Sequence, residues 1–189
     1  MKIEEAYYHK ILLMNDIYSE FDNWLYSYQS TEEPLSDTVI DLSWCGSDIS
    51  KIISCLHSFC LGQPLDEKIV CDKLRMFLKE SYNQGIYTIE EICRLMYNFV
   101  LSHGDPIELD MEIWGDMFYL DDYYLEINDG SVSKEKFESA VLAYLEDGTA
   151  VDYHSLWNIS KIQALSYKIK KLLKNNKFDI LHYNKTKSE

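Results

Sequence analysis

Four carboxylates, Asp116, Asp121, Asp122 and Glu126, crowd into one short stretch. Acids four or five residues apart on a helix can share a divalent cation, the arrangement that activates water in metal-dependent hydrolases. That chemistry also needs a second acidic helix across the ion and cations to neutralise a phosphorylated substrate. No Lys or Arg occurs from residue 95 to 133, so a hydrolase of this type is the alternative reading rather than the leading one. A second candidate is Asn128 to Phe137, NDGSVSKEKF, which follows the second half of a calcium-binding helix–loop–helix, with Asp129 at loop position 5 and Gly130 at the sharp turn. Its ligand positions 1, 3 and 12 are Leu125, Ile127 and Lys136, and position 12 requires a bidentate Glu. A turn and a helix start are expected there. His9, His57, His103, His154 and His182 stand apart, with His57 among apolar positions that suit a packed histidine. There is neither a Gly-x-Ser-x-Gly elbow nor a phosphate-cradling glycine loop. No catalytic residue, metal ligand or cofactor is expected.

The same acids make better sense as a surface. Residues 105 to 130, DPIELDMEIWGDMFYLDDYYLEINDG, hold nine Asp or Glu. If a helix opens at Asp105 with Pro106 in its first turn, Glu108, Glu112, Asp116, Tyr119, Tyr123 and Glu126 fall on one face. Ile107, Met111, Trp114 and Phe118 fall opposite, flanked by Ile113, Met117, Leu120 and Tyr124, with a bend expected at Gly115. Such a face attracts cationic surface, and its tyrosines offer rigid contact area. The candidate partner-binding set is therefore Glu108, Glu112, Asp116, Tyr119, Asp121, Asp122, Tyr123, Glu126 and Asp129.

Helical periodicity dominates the elements that must position this face. Residues 3 to 28 carry Tyr7, Ile11, Met14, Tyr18, Phe21, Leu25 and Tyr28 at steps of three and four, with a weak point at Asn15-Asp16. Thr38 to Trp44 reads as a short helix. Ser47-Asp48 caps a segment with Ile49, Ile52, Ile53, Leu56 and Cys60 inward. Leu65 to Asn83 turns in Ile69, Val70, Leu74, Phe77 and Leu78. Thr88 and Glu91 form a capping box that opens a helix with Ile89, Ile92, Cys93, Met96 and Val100 buried. Ser133 to Glu146 turns in Phe137, Val141, Tyr144 and Leu145 before Gly148, its expected cap. Ser155 to Asn175 closes the series, with Leu156, Ile159, Ile162, Leu165, Ile169, Leu172 and Leu173 inward. The expected class is all-α, a single-domain bundle of about seven or eight amphipathic helices around one core over residues 1 to 176, with a polar tail from 177 to 189.

Charge narrows the partners. The chain carries a formal −14, but residues 161 to 189 hold eight lysines against two acids, which leaves −20 on the rest. A second window without Lys or Arg, residues 11 to 50, contains eight acids. Such a body repels nucleic acid and anionic membrane. Five cysteines without a C-x-x-C pair suit reduced core thiols. The start, MKIEEAYYHK, places acids where a signal peptide needs an apolar run. A cytoplasmic protein is expected.

In overall character, over residues 1 to 160 and through segments such as DLSWCGSDIS (41 to 50) and DMFYLDDYYLEIND (116 to 129), the chain resembles the acidic immunity proteins of bacterial toxin and immunity pairs, including those of contact-dependent growth inhibition. That resemblance implies a non-enzymatic inhibitor whose partner is a basic protein, typically a toxin nuclease domain. A helical adaptor without a toxin partner is a further alternative. The lysine-rich end departs from a pure nucleic-acid mimic, so the whole surface is not expected to take part.

Overall fold

The computed structural model describes residues 1–104, 109–158, 166 and 169. Among the described residues, nine helices with defined bounds, the helical residues Ser166 and Ile169, and one isolated bridge, Val132 with Trp157, make up the secondary structure. The protein is an all-α bundle: α1 Ile3–Met14, α2 Phe21–Thr31, α3 Asp37–Trp44, α4 Ile49–Cys60, α5 Glu67–Asn83, α6 Ile89–His103, α7 Met111–Leu125, α8 Lys134–Asp147 and α9 Tyr153–Leu156.

The helix at the centre is α1. Its sequence, IEEAYYHKILLM, is apolar or aromatic on almost every side, and a helix of that kind ends up buried all round. Ala6, Tyr8, His9, Lys10, Ile11, Leu12 and Leu13 are all buried. The Lys10 ammonium, its pKa lowered by burial, lies 3.9 Å from the Tyr7 ring centroid. Leu12 and Leu13, neighbours in sequence, point into different hydrophobic clusters. The larger cluster joins Tyr8, Ile11 and Leu12 to Leu74, Leu78, Ile92, Met96, Phe99, Trp114, Met117, Phe137 and Val141. The smaller joins Ala6 and Leu13 to Phe21, Leu25, Val39, Leu42, Ile52 and Leu56. The single core expected from periodicity is thus two clusters with α1 between them.

The stripe over residues 3 to 28 breaks at its weak point. Asn15 donates its side-chain amide to Ile11 O and Ser102 Oγ, both at 2.9 Å, and Asp16 adopts φ 59°. A short polar side chain tolerates that left-handed conformation best after glycine. Further on, Asp48 and Asp66 cap α4 and α5 by accepting from Lys51 N and Ile69 N. The Thr88–Glu91 capping box is complete in both directions. Gly148 ends α8 at φ 77°, its N–H bonded to Tyr144 O. A Cβ there would stand 3.5 Å from Arg75 Nε, whose guanidinium donates to Leu145 O at 2.7 Å.

Three expectations change. His57 is exposed rather than packed, because it lies off the arc of Ile52 and Leu56. Ile69 is 44% exposed while Val70 beside it is fully buried. The helix expected from Ser155 does not run unbroken: residues to Leu156 belong to the four-residue α9, an extended Trp157 then pairs with Val132, and further on Ser166 and Ile169 are helical, with Ile169 exposed rather than inward. The remainder of Ser155 to Asn175, apart from 166 and the half-exposed Ile169, lies outside the described residues, as does the tail from 177 to 189.

Candidate interaction surface

Asp110, not Asp105, starts α7: its side chain accepts from Glu112 N and the helix runs from Met111 without a break at Gly115. Asp105, Pro106, Ile107 and Glu108 lie outside the described residues. What holds α7 is Trp114, which is fully buried. Its indole N–H donates to Glu67 Oε2 at 2.8 Å, and its ring stacks on His103 with centroids 4.6 Å apart. Farther along, Phe118 packs on Tyr97, Asp121 meets Arg94, and Tyr124 OH donates to Glu90. Each step forward on α7 matches a step back on α6, so the two helices are antiparallel and in contact throughout. That packing fixes which side of α7 turns outward.

The outward side carries Glu112, Tyr119 and Glu126, each two turns from the next, with Asp122 alongside. All four are exposed, Tyr119 by 43%. The carboxylates of Glu112, Asp122 and Glu126 make no hydrogen bond or ion pair among the described residues. Asp129, also exposed, accepts from Ser131 N at 2.7 Å in the turn before α8.

Three of the expected contact residues serve the fold instead. Asp121 is 6% exposed and pairs with Arg94 Nε at 3.1 Å. It follows Trp114 by seven residues, which returns it to the buried side. Asp116 accepts from Tyr153 OH at 2.8 Å and from Val151 N at 3.3 Å, fastening the segment around α9. Burial, and then that carboxylate, push the Tyr153 hydroxyl well above its usual pKa, so it acts as a donor. Tyr123 is half-buried, with ring centroids 4.5 Å from Tyr153 and 6.0 Å from Trp157. Asp116→Ala should therefore cost about 1–2 kcal/mol in urea unfolding, whereas Glu112→Ala should stay within about 0.5 kcal/mol. Equal effects would show that Asp116 anchors nothing.

These positions also bear on the metal chemistry. Asp116 and Asp121 sit on different sides of α7 and each is committed elsewhere, so the four carboxylates do not converge on one ion. In the turn at Asp129-Gly130, Lys136 points its ammonium to Ser155 O at 2.9 Å, where a calcium loop would need its bidentate acid.

The buried histidines set a pH limit on this scaffold. His9 is enclosed by the rings of Tyr8, Phe21 and Trp24. Burial lowers its pKa to about 4, against the pull of Glu5 and with help from Lys73. Burial likewise holds the His103 imidazole below its usual value despite Glu67, 3.4 Å away. The unfolded chain takes up a proton at His9 near pH 6.5, while the folded chain resists until about pH 4. The stabilisation is complete above pH 6.5 and is lost as the pH falls toward 4, up to about 3 kcal/mol for His9. His9→Phe should flatten the stability profile between those limits. An unchanged slope would refute the assignment.

Sequence reasoning missed Arg94, Glu67 and Tyr153, the partners that orient α7, because each lies far from it in the chain. The buried thiols Cys71 and Cys93, pushed up by burial to about 11 and about 12, take no part in the outward face. No helix among the described residues is long and apolar enough to cross a membrane. Comparison with family models, curated proteins and solved structures gives no match, so the outward face of α7 is interpreted on its own chemistry.

Proposed function

We propose that the protein is an acidic immunity protein that binds and neutralises a basic toxin domain, a nuclease by the character of such pairs, through the outer face of α7. The observation that carries this is the split among the acids of one helix. Asp116 and Asp121 have structural work and have found partners for it; Glu112, Asp122 and Glu126 stand in solvent with none among the described residues. Charges placed together without a counterion cost the monomer something through mutual repulsion, and a cationic partner relieves that cost. The acidic field also speeds encounter, toward roughly 10⁸ to 10⁹ M⁻¹s⁻¹ for well-steered pairs. Tyr119 between the acids supplies the apolar contact that steering alone lacks.

The test is co-expression with the product of the adjacent upstream reading frame, read out as growth and as a purified complex. Rescue of growth together with a complex that weakens in salt is the expected result. Persistent growth arrest with no complex would overturn the proposal.

A further inference from the structure

Among the described residues, the large apolar side chain most open to solvent is far from α7 in the chain: Trp44, at 86% exposure, in the last turn of α3. The inner side of α3 is already settled, with Val39 and Leu42 buried against the smaller cluster of Phe21, Leu25, Ile52 and Leu56. Asp37, Ile40, Asp41 and Trp44 follow one another at steps of three, one and three and form the outer arc, all of them exposed. Ile40 is one turn before Trp44 and 38% exposed. On the adjoining α2, tied to α3 by Gln29 Nε2 to Ser43 Oγ at 2.7 Å, Tyr26 is 68% exposed. Packing gives no reason for a tryptophan here. Exposed tryptophan beside isoleucine costs solvation free energy, and tryptophan is the residue most enriched among binding hot spots.

Charge selects the occupant. Residues 11 to 50 contain eight acids and no Lys or Arg, and the first cation beyond them, Lys51, is held by Asp48 at 3.0 Å. The carboxylates of Asp37 and Asp41 have no hydrogen bond or ion pair among the described residues. A second copy of the chain meeting this face about a two-fold axis would set these acids against their own images. An anionic membrane or a nucleic acid would be repelled. We propose that the outer face of α3 is a second docking surface, which takes a basic amphipathic helix of a partner protein. Its apolar stripe covers Trp44 and Ile40, and its lysines or arginines meet Asp37 and Asp41. Two turns of α3 span about 12 Å, enough for one apolar anchor and a flanking pair of charges. This goes beyond the α7 surface and does not depend on it.

The probe is a synthetic peptide of about 18 leucines and lysines with one apolar helical stripe, set against a peptide of the same composition reordered to have none. Binding to the full chain is measured by tryptophan emission and calorimetry at about 50 mM salt. The striped peptide should shift the emission to the blue and bind saturably. Trp44→Ala and the double reversal D37K/D41K should each weaken it at least tenfold, with helical content unchanged. The α7 variant E112K/D122K/E126K should still bind the striped peptide in a Trp44-dependent way, whichever result the toxin co-expression gives. The proposal is overturned if Trp44→Ala binds as wild type does, or if the reordered peptide binds equally well. It also fails if only the α7 variant loses binding, if sedimentation shows a Trp44-dependent dimer, or if vesicles of phosphatidylcholine and phosphatidylserine bind through Trp44.

Discussion

Trp114→Ala is expected to destabilise the protein by about 3–5 kcal/mol, the range for truncating a fully buried tryptophan. The residue has no solvent exposure and joins α7 to Glu67 of α5 and His103 of α6. Its loss leaves a cavity in the larger cluster, unstacks His103 and deprives the Glu67 carboxylate of its indole donor. Urea unfolding should show the midpoint falling at an unchanged slope. Trp114→Phe separates the terms, because it keeps an aromatic ring in the site while removing the indole N–H. It should cost about 1–2 kcal/mol for the lost hydrogen bond, plus a smaller packing deficit. If Trp114→Ala cost less than about 1 kcal/mol, a surface-like value, then α7 would be held by something other than this residue, and the assignment of its outward side would lose its basis.

The parts of the fold that were legible in the sequence are those set by neighbouring residues. The buried faces of α6 and α8 read correctly because Thr88 with Glu91, and Gly148, mark helix ends by local hydrogen bonding, and the apolar spacing between them is clean. The α1–α2 break at Asn15-Asp16 was visible for the same reason. The start of α7 was misplaced because residues 105 to 110 offer two caps, and Asp105-Pro106 has the stronger composition. Asp110 is the one whose side chain accepts from Glu112 N.

The candidate site was only half legible, and the failures share a cause. Asp121 was grouped with exposed acids by its type, although its spacing from Trp114 already placed it on the buried side. Its counterion, Arg94, is 27 residues away, so the absence of cations nearby in sequence said nothing about cations nearby in space. Asp116 finds Tyr153 across 37 residues, and Trp114 finds Glu67 across 47. Periodicity assigns a face to each residue, but only tertiary packing decides which polar groups on the margin of that face acquire partners. The same limit explains α1. A helix apolar on all sides gives no direction to its core, and two clusters rather than one could be seen only once Leu12 and Leu13 were placed apart.

The triple reversal E112K/D122K/E126K is expected to weaken binding to a basic toxin domain on the order of 100-fold or more, at about 1 kcal/mol or more per like-charge contact created. It spares Asp116 and Asp121, so the fold keeps its anchors. The three positions also differ in their helix context. Glu112 lies in the first turn of α7, where the helix dipole favours an acid, so lysine there costs roughly 0.3–1 kcal/mol. Glu126 is the C-cap, where lysine gains a comparable amount. Relief of repulsion at Asp122 tips the balance slightly toward stability, so a loss of binding cannot be blamed on unfolding. Wild-type affinity should fall as salt rises from about 50 to 500 mM, since the Debye length shrinks from well over 10 Å to about 4 Å. The reversed protein should lose most of that dependence. For charges on the rim the loss belongs mainly to the association rate, and for any charge sealed in the complex it belongs to dissociation. An unchanged affinity with an unchanged salt slope would leave the outer face of α7 as solvated surface, and the weight of recognition would pass to Trp44 and its flanking acids.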